Sequence, residues 1–272
     1  MMEGIIIILS APWAGFLGKK MVLLYRERGL LRTNYRGRTI TPALGPVLLL
    51  GYLPVLALAA WFNPGRAHQL MAVTLVFMGV FLLGLWDDLL TDPVSGFKGH
   101  LGALINGEVT GGLLKMIIAG AVGLIFAAAL PGQLKDKILA ILLLALSANG
   151  LNLLDRQPGR ALKAFFLGSL LFPVLTGSGE LLRLLLPLLV PALVVAPLDL
   201  GERAMLGDSG ANLLGAALGV AALYHPSFSA RLLTVLFWLA VHIYAEFFSI
   251  SRLIERNLFL RYLDRLGCNN DD

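Results

Sequence analysis

The chain has 272 residues, of which 57% are hydrophobic and only 14% are charged, and its formal net charge is +5. Because soluble domains usually carry about 25% charged residues, this composition excludes an ordinary water-soluble protein and indicates an integral membrane protein. Cys268 is the single cysteine, which excludes a disulfide or a cysteine-based metal site within one chain.

Nine apolar stretches follow one another along the chain. A bilayer core about 30 Å thick needs about 20 mostly apolar residues for each helical crossing, and the stretches come close to that length. We therefore predict an all-α, polytopic transmembrane helix bundle of about nine helices, with a membrane domain over residues 1–251 and a cytoplasmic tail over 252–272. The first stretch lacks the basic start and the cleavage site of a signal peptide, so we expect it to be retained. The stretches lie near residues 3–25, 42–62, 69–86, 111–130, 137–154, 161–177, 181–199, 209–225 and 231–251.

The lysines and arginines indicate the orientation of this bundle. With nine crossings, seventeen of the 22 basic residues fall on one side of the membrane and five on the other. The positive-inside rule then predicts that the first side is cytoplasmic, with the N-terminus outside and the C-terminus inside. The net positive charge follows from this topology, so it does not indicate a nucleic-acid partner.

Acidic residues collect on the same predicted cytoplasmic side, at helix ends and in the loops between helices. Carboxylates from segments far apart in sequence can therefore share one site at this face. These residues are Asp87, Asp88, Asp92, Glu108, Asp155, Asp199, Glu202 and Asp208, whereas Glu3, Asp136 and Glu180 lie on the opposite side.

Asp87 and Asp88 close the third predicted helix, where the negative end of the helix dipole disfavours each carboxylate by about 0.3 to 1 kcal/mol. Repulsion between the two neighbouring charges adds to this cost. A bound cation relieves both effects, and paired carboxylate oxygens suit a hard ion such as Mg²⁺. We therefore predict a metal site at this pair, the alternative being two ordinary interfacial acids that mark a helix end.

Two further segments carry polar residues at helix ends. Asn149, Asn152 and Asp155 are spaced by three, so they follow one face of a helix and can present amides and a carboxylate to one pocket. The alternative is hydrogen bonding between neighbouring helices. Asp208 and Ser209 open the eighth helix, where they suit either simple N-capping or a phosphate site with a metal on Asp208.

Basic residues in the loops are candidates for binding phosphate. Arg36 and Arg38, beside Asn34, lie in a basic loop before the second helix, and either topology or a phosphate clamp explains that loop. Lys98 and His100 follow the acid pair, although a lone loop histidine is more often solvated than catalytic. Lys115, about one turn inside the fourth helix, also has the simpler interpretation of snorkelling to the interface.

Four motifs and one lysine occur in a fixed order over about residues 30 to 220, all on the predicted cytoplasmic side. They are Asn34-Tyr35-Arg36-Gly37-Arg38 with Pro42 and Gly45, Gly84-Leu85-Trp86-Asp87-Asp88, Lys115, Asn149-Gly150-Leu151-Asn152-Leu153-Leu154-Asp155, and Leu206-Gly207-Asp208-Ser209-Gly210.

This ordered set resembles the polyprenyl-phosphate N-acetylhexosamine-1-phosphate transferases, a glycosyltransferase family that includes the phospho-MurNAc-pentapeptide translocase and the undecaprenyl-phosphate GlcNAc-1-phosphate transferases of cell wall biogenesis. The resemblance implies an enzyme of the bacterial inner membrane, active at the cytoplasmic face. The implied reaction joins the sugar phosphate of a UDP-sugar to undecaprenyl or another polyprenyl phosphate and releases UMP. The implied cofactor is Mg²⁺, with Mn²⁺ as the alternative ion, and a homodimer is one expected assembly.

The resemblance also implies roles for individual residues. Asp87, Asp88 and Asp208 would be catalytic and would hold the metal. By resemblance, Asn152 and Asp155 would belong to the nucleotide-sugar pocket, and the matching stretches also place Asn34, Arg36, Arg38, Lys115 and Asn149 among the substrate-binding residues. From their place in loops on the same predicted side, we add Lys98, His100 and Arg160, for which topology or simple solvation is the alternative.

The chain departs from the family pattern in three places. Asp155 is followed by Arg156-Gln157-Pro158-Gly159, so the family's usual second carboxylate is missing. A tenth helix and a histidine-rich last cytoplasmic loop are also not found. Two other functions therefore compete with the transferase: a catalytically degenerate relative that serves as a membrane scaffold or binds the lipid carrier, and a transporter. The acids cluster at one interface, whereas a transporter usually carries ionisable residues near the middle of the membrane.

Overall fold

The computed structural model describes residues 2–90, 102, 106–107, 110–176 and 179–268. This part of the chain is all-α except for one short antiparallel hairpin, in which Arg32 pairs with Ile40 and Thr33 with Thr39. The elements are α1 (Met2–Glu27), β1 (Arg32–Thr33), β2 (Thr39–Ile40), α2 (Leu44–Phe62), α3 (Pro64–Leu89), α4 (Gly111–Ala129), α5 (Leu134–Leu154), α6 (Arg160–Thr176), α7 (Gly179–Leu200), α8 (Gly207–Leu223), α9 (Phe228–Phe247), α10 (Ile250–Arg256) and α11 (Leu258–Arg265).

Five of the described helices are long and apolar enough to cross a membrane: α2, α3, α4, α5 and α9. Their outer faces carry large apolar side chains, such as Leu75 and Ile125, which are more than 60% exposed. Such faces suit lipid, because hydrocarbon offers no hydrogen bonds to polar side chains. The protein is thus an all-α protein with membrane helices, whereas the number of crossings and the orientation stay predictions.

Helix α8 lies at the centre of the bundle and packs most extensively on α5 and α3. Almost all of its residues are buried, and many are glycine or alanine. A Cβ on Gly215 would lie 2.7 Å from the Cα of Ala148 in α5, so only glycine allows this approach. Close contact through small residues is typical of helix packing in membranes, where dispersion forces replace the hydrophobic effect between helices.

Helix α3 meets the first turn of α8 at Gly84, about one turn before the acid pair. A Cβ on Gly84 would lie 2.6 Å from the Cα of Ser209 and 2.5 Å from the carbonyl oxygen of Asp208. The backbone of α3 therefore lies directly against the backbone of α8, with no side chain at position 84 between them. This contact brings the acid pair at the end of α3 to the start of α8, 120 residues further along the chain.

We expect Gly84→Ala to destabilise the bundle by about 3 kcal/mol, because the added methyl group meets rigid backbone and forces the two helices apart. Gly120→Ala in α4 is the matched control, since a Cβ there meets nothing within 4 Å. It should change stability by at most about 1 kcal/mol. Thermal unfolding of both variants in detergent measures the difference, and equal melting temperatures would contradict the close approach.

The predicted tail from residue 252 contains two short helices, α10 and α11. They follow α9 after a break at Phe248–Ser249 and fold back against the loop between α5 and α6. The C-terminal region is therefore a packed part of the structure as far as Cys268.

Candidate functional site

The acid pair at the end of α3 divides into two different roles. Asp88 is 7% exposed and turns toward the start of α8. Its Oδ1 accepts a hydrogen bond from the backbone N–H of Asp208 at 2.8 Å, and its Oδ2 accepts from the backbone N–H and the hydroxyl of Ser209 at 3.0 and 2.5 Å. Asp88 thus caps a helix other than its own, and the positive end of the α8 dipole stabilises its charge.

Asp87 is about one-third exposed and forms an ion pair with Lys115 of α4. Beside it, Arg32 of β1 donates to the carbonyl oxygen of Asp88 at 2.9 Å and also to those of Asp87 and Leu90. The guanidinium therefore satisfies the last carbonyls of α3 and places positive charge at the negative end of that helix. Lys115, Arg32 and the N-terminus of α8 thus all place positive charge beside the acid pair.

Asp208, in the first turn of α8, completes the cluster. Its carboxylate lies beside the side-chain amide of Asn152 and within electrostatic range of Asp87, Arg32 and Arg156. The structure therefore brings Asp87, Lys115, Asn152 and Asp208 together from α3, α4, α5 and α8. These four were predicted from separate motifs, and their convergence is a property of the tertiary fold.

Asp155, the residue after α5, lies at the edge of this cluster. Burial raises the pKa of its carboxyl well above the ordinary value, and the nearby carboxylates of Asp199, Asp208 and Asp88 raise it further, whereas Arg160 lowers it. Removal from water and like charges both disfavour the ionised form. Asp155 can therefore keep its proton, and donate a hydrogen bond, at a pH at which a free aspartate is charged.

The arrangement of these acids bears on which of them could hold a metal ion. Within the described residues, no group of three or more His, Cys, Asp or Glu side chains is arranged to hold a metal ion. Mg²⁺, however, usually binds through one or two carboxylates together with water and substrate phosphates. Asp87 and Asp208 fit such a site, and Mn²⁺ takes the same oxygen ligands. Asp88 fits it less well, because metal binding would cost it the hydrogen bonds to α8.

The basic loop predicted as a phosphate clamp is the β1–β2 hairpin, and Glu202 binds it. The Glu202 carboxylate accepts from the Asn34 amide at 2.9 Å and pairs with Arg36 at 3.4 Å and with Arg38 at 3.8 Å. Glu202 is not glycine, yet its φ is +52°. Such a conformation is uncommon and persists only where the surroundings fix it. Glu202 and the residues 34 to 38 form what we call the hairpin latch.

A cavity of about 650 Å³ lies between the hairpin, the loop after α5 and the junction of α9 with α10. Asp155 and Arg156 belong to its wall, so the cavity borders the acid cluster. Its lining residues are Thr33, Asn34, Tyr35, Ile40, Leu153, Asp155, Arg156, Gln157, Pro158, Asp199, Ala204, Met205, Ala245, Phe248, Ser249, Ile250 and Ser251.

Two of the predicted substrate-binding residues have partners elsewhere. The Asn149 amide contacts Nε2 of His242 at 2.9 Å, which joins α5 to α9. Arg160 is 5% exposed and forms a bidentate ion pair with Asp264 at 2.8 Å. Binding of a donor by Arg160 would require its guanidinium to leave Asp264. Lys98 and His100 lie outside the described residues.

Several residues that shape the site were missed as site residues by sequence reasoning. Asp199 is buried and accepts from the backbone N–H groups of Gly159 at 2.6 Å and Leu206 at 3.0 Å, so it braces the two loops around the cavity. For Glu202, Arg32 and Arg156, the sequence offered only their charge and their predicted side of the membrane as evidence of a role in the site. A charged residue in a loop is usually solvated, so no local pattern distinguished these three.

We expect Glu202→Gln to release the hairpin and to speed trypsin cleavage after Arg36 or Arg38 about tenfold, since losing about 1.4 kcal/mol raises the population of the open form by that factor. Glu246→Gln is the control, because Glu246 is an exposed acid in α9. Limited proteolysis in detergent gives both rates. The hairpin latch is not what holds the loop if Glu202→Gln and Glu246→Gln are cleaved equally fast.

Comparison with known proteins gives no family assignment. The chain matches no protein-family model and no curated protein. The site itself therefore carries the functional argument.

Proposed function

We propose that this protein is a membrane-bound transferase that moves a sugar 1-phosphate from a nucleotide-diphosphate sugar to a polyprenyl phosphate. One observation carries the proposal: Asp87, Lys115, Asn152 and Asp208 converge from four helices, and Asp155 and Arg156 connect this cluster to a cavity that is large enough for a nucleotide. Titratable groups of opposite charge at a cleft are typical of catalytic sites. The motif order that resembles the polyprenyl-phosphate transferases supports the same reaction.

The reaction would proceed by direct displacement at phosphorus. An oxygen of the polyprenyl phosphate attacks the β-phosphorus of the donor, the bond from that phosphorus to the bridging oxygen breaks, and the nucleoside monophosphate leaves with the electron pair. Asp87 and Asp208 would hold Mg²⁺, which supplies charge neutralisation on the diphosphate. Lys115 and Arg156 would stabilise the negative charge that builds up on the leaving group.

The cavity suits the nucleotide half of such a donor. Its volume of about 650 Å³ lies within the usual range for small-molecule sites, about 300 to 1,000 Å³. Tyr35 and Phe248 in its wall offer aromatic surface for a base, and Arg156 offers a cation for the diphosphate. The lipid phosphate would approach from the membrane interface, beside the C-terminal end of α3 and the start of α4. Its polyprenyl chain would stay in the bilayer.

A defined assay tests the proposal. Purified protein in detergent is incubated with undecaprenyl phosphate, MgCl₂ and a panel of nucleotide sugars, and the released nucleoside monophosphate and the lipid-linked product are both measured. We expect release that needs both the lipid and Mg²⁺, with stoichiometric lipid product. Controls omit the lipid or add EDTA. Release without lipid product would indicate a hydrolase, and no turnover with any donor would contradict the proposed transferase.

The donor preference gives a further prediction. Because Asp155 is followed by Arg156, Gln157 and Pro158, the family's second carboxylate is missing, and UDP-MurNAc-pentapeptide would lose a partner there. Loss of such a hydrogen bond costs about 1 to 3 kcal/mol. We therefore expect the kcat/KM for UDP-MurNAc-pentapeptide to lie about tenfold to a hundredfold below the kcat/KM for a smaller UDP-sugar. Competition between the two donors measures the ratio. Preference for the pentapeptide donor would contradict the specialised pocket and leave the transferase proposal standing.

A second candidate is a non-catalytic protein that binds the lipid carrier or acts as a membrane scaffold. It is favoured by the charge balance, because Lys115 pairs with Asp87 and the start of α8 donates hydrogen bonds to Asp88. This candidate predicts saturable binding of undecaprenyl phosphate with no product from any donor. A binding measurement alongside the transfer assay therefore separates the two functions.

A further inference from the structure

The two helices after α9 have chemically different inner and outer faces. α10 begins at Ile250, three residues after the membrane-length helix α9 ends at Phe247. The helices are therefore tied to the bundle at the level where α9 leaves its apolar span. Their position depends on the membrane assignment alone and not on the proposed reaction.

The inner face is fixed to the bundle by Arg160. Its guanidinium makes the bidentate ion pair with Asp264 of α11 and also donates to the Ser251 hydroxyl of α10 at 2.9 Å. Lys163 donates to the backbone carbonyl of Asp264. Arginine is suited to such a buried, planar pair, which holds geometry as well as charge. Rotation of α10 and α11 about their axes is therefore restrained.

The outer face is apolar and basic. In α11, Leu258, Phe259 and Tyr262 are between 65 and 74% exposed. Arg265 lies beside them, and Arg252 and Arg256 of α10 are also exposed. Because Asp264 is bound by Arg160, its charge does not offset these arginines. Glu255 is the one acidic residue on the exposed surface of the two helices.

We propose that α10 and α11 lie in the interface of the bilayer and bind anionic lipid headgroups. An amphipathic helix with aromatic and leucine side chains on one face and arginines at its margin is typical of interfacial binding. Anionic headgroups attract such arginines near the membrane surface. Continuity with α9 keeps the face beside the membrane, which favours lipid over a soluble partner.

The test uses a depth probe on the full chain. The native cysteine is replaced by Cys268→Ser, and an environment-sensitive fluorophore is attached at Phe259→Cys. Thr39→Cys, exposed on the hairpin, is the matched control. Each protein is reconstituted at one copy per nanodisc, with phosphatidylcholine alone or mixed with phosphatidylglycerol, and with brominated lipids as quenchers. One copy per disc excludes burial against a second chain.

We expect blue-shifted emission at position 259, quenched most by bromines at shallow depth, since interfacial helices sit about 5 to 10 Å into the headgroup boundary. Quenching should be roughly twofold stronger with phosphatidylglycerol than without it, and Arg252→Glu with Arg265→Glu should remove that difference. Position 39 should show neither effect. Water-like emission at position 259 in both lipids would overturn the proposal, as would a blue shift that appears only in discs holding two copies.

The ion pair between Arg160 and Asp264 gives an independent check. Asp264→Asn weakens the pair with Arg160, so the fluorophore at position 259 should show a broader range of depths, while the lipid dependence persists. If Asp264→Asn instead abolishes quenching, the outer face has no lipid affinity of its own and the proposal fails.

Discussion

Asp208→Asn is expected to reduce sugar-phosphate transfer by about a hundredfold to a thousandfold, which is the usual cost of losing one electrostatic contact to a developing charge. The Asp208 carboxylate contacts Asn152 and lies near Asp87, so the substitution removes charge at the centre of the cluster. Asparagine keeps the size of the side chain, so the bundle should stay folded. Release of nucleoside monophosphate and thermal unfolding, measured on the same preparation, give the two values.

Asp136→Asn is the matched control for this prediction. Asp136 is an aspartate near the start of α5, paired with Arg231 at 3.3 Å, and therefore lies at the opposite end of the helix that carries Asn152. Its replacement should leave the transfer rate within about twofold, because Asp136 lies roughly 24 Å along the helix from Asn152. Full activity of Asp208→Asn, with unchanged dependence on Mg²⁺, would remove Asp208 from the site.

Asp88→Asn is expected to lower the stability of the protein by about 2 to 3 kcal/mol, because an amide replaces a carboxylate oxygen that accepts hydrogen bonds from the start of α8. The amide N–H₂ would face backbone N–H donors. Asp87→Asn is the matched variant one residue away. Its ion pair with Lys115 is partly exposed, so its loss should cost less than about 1 kcal/mol. Thermal unfolding in detergent compares the two variants.

The same two variants also show whether Asp88 acts as a helix cap or as a metal ligand. If Asp88 acts through α8, Asp88→Asn keeps the Mg²⁺ concentration for half-maximal activity, whereas Asp87→Asn raises it. An Asp88→Asn protein as stable as the parent chain, with a raised Mg²⁺ requirement, would assign Asp88 to the metal. These readouts are independent, because one follows unfolding and the other follows ion dependence.

Local signals in the sequence determined the fold class and the chemically important segments. Hydrophobicity is a property of neighbouring residues, so the apolar stretches predicted the long helices, including their approximate ends. Asp87, Asn152 and Asp208 were also identified locally. Asp87 was identified by its acidic neighbour Asp88, Asn152 by its spacing of three from Asn149 and Asp155, and Asp208 by its place at the start of a helix. Their predicted roles in transfer stay untested.

Only the tertiary structure decided which partner each charged residue takes. Asp88 binds Ser209 across 121 positions, Asn34 binds Glu202 across 168, and Arg160 binds Asp264 across 104. No periodic pattern encodes such pairs, since they depend on which helix ends meet after packing. Glycines set the contacts of α3 and α5 with α8, because Gly84 and Gly215 allow the backbones to approach more closely than any side chain permits. The sequence determined where the charges lie, and helix packing determined whether each became a cap, a latch or part of the candidate site.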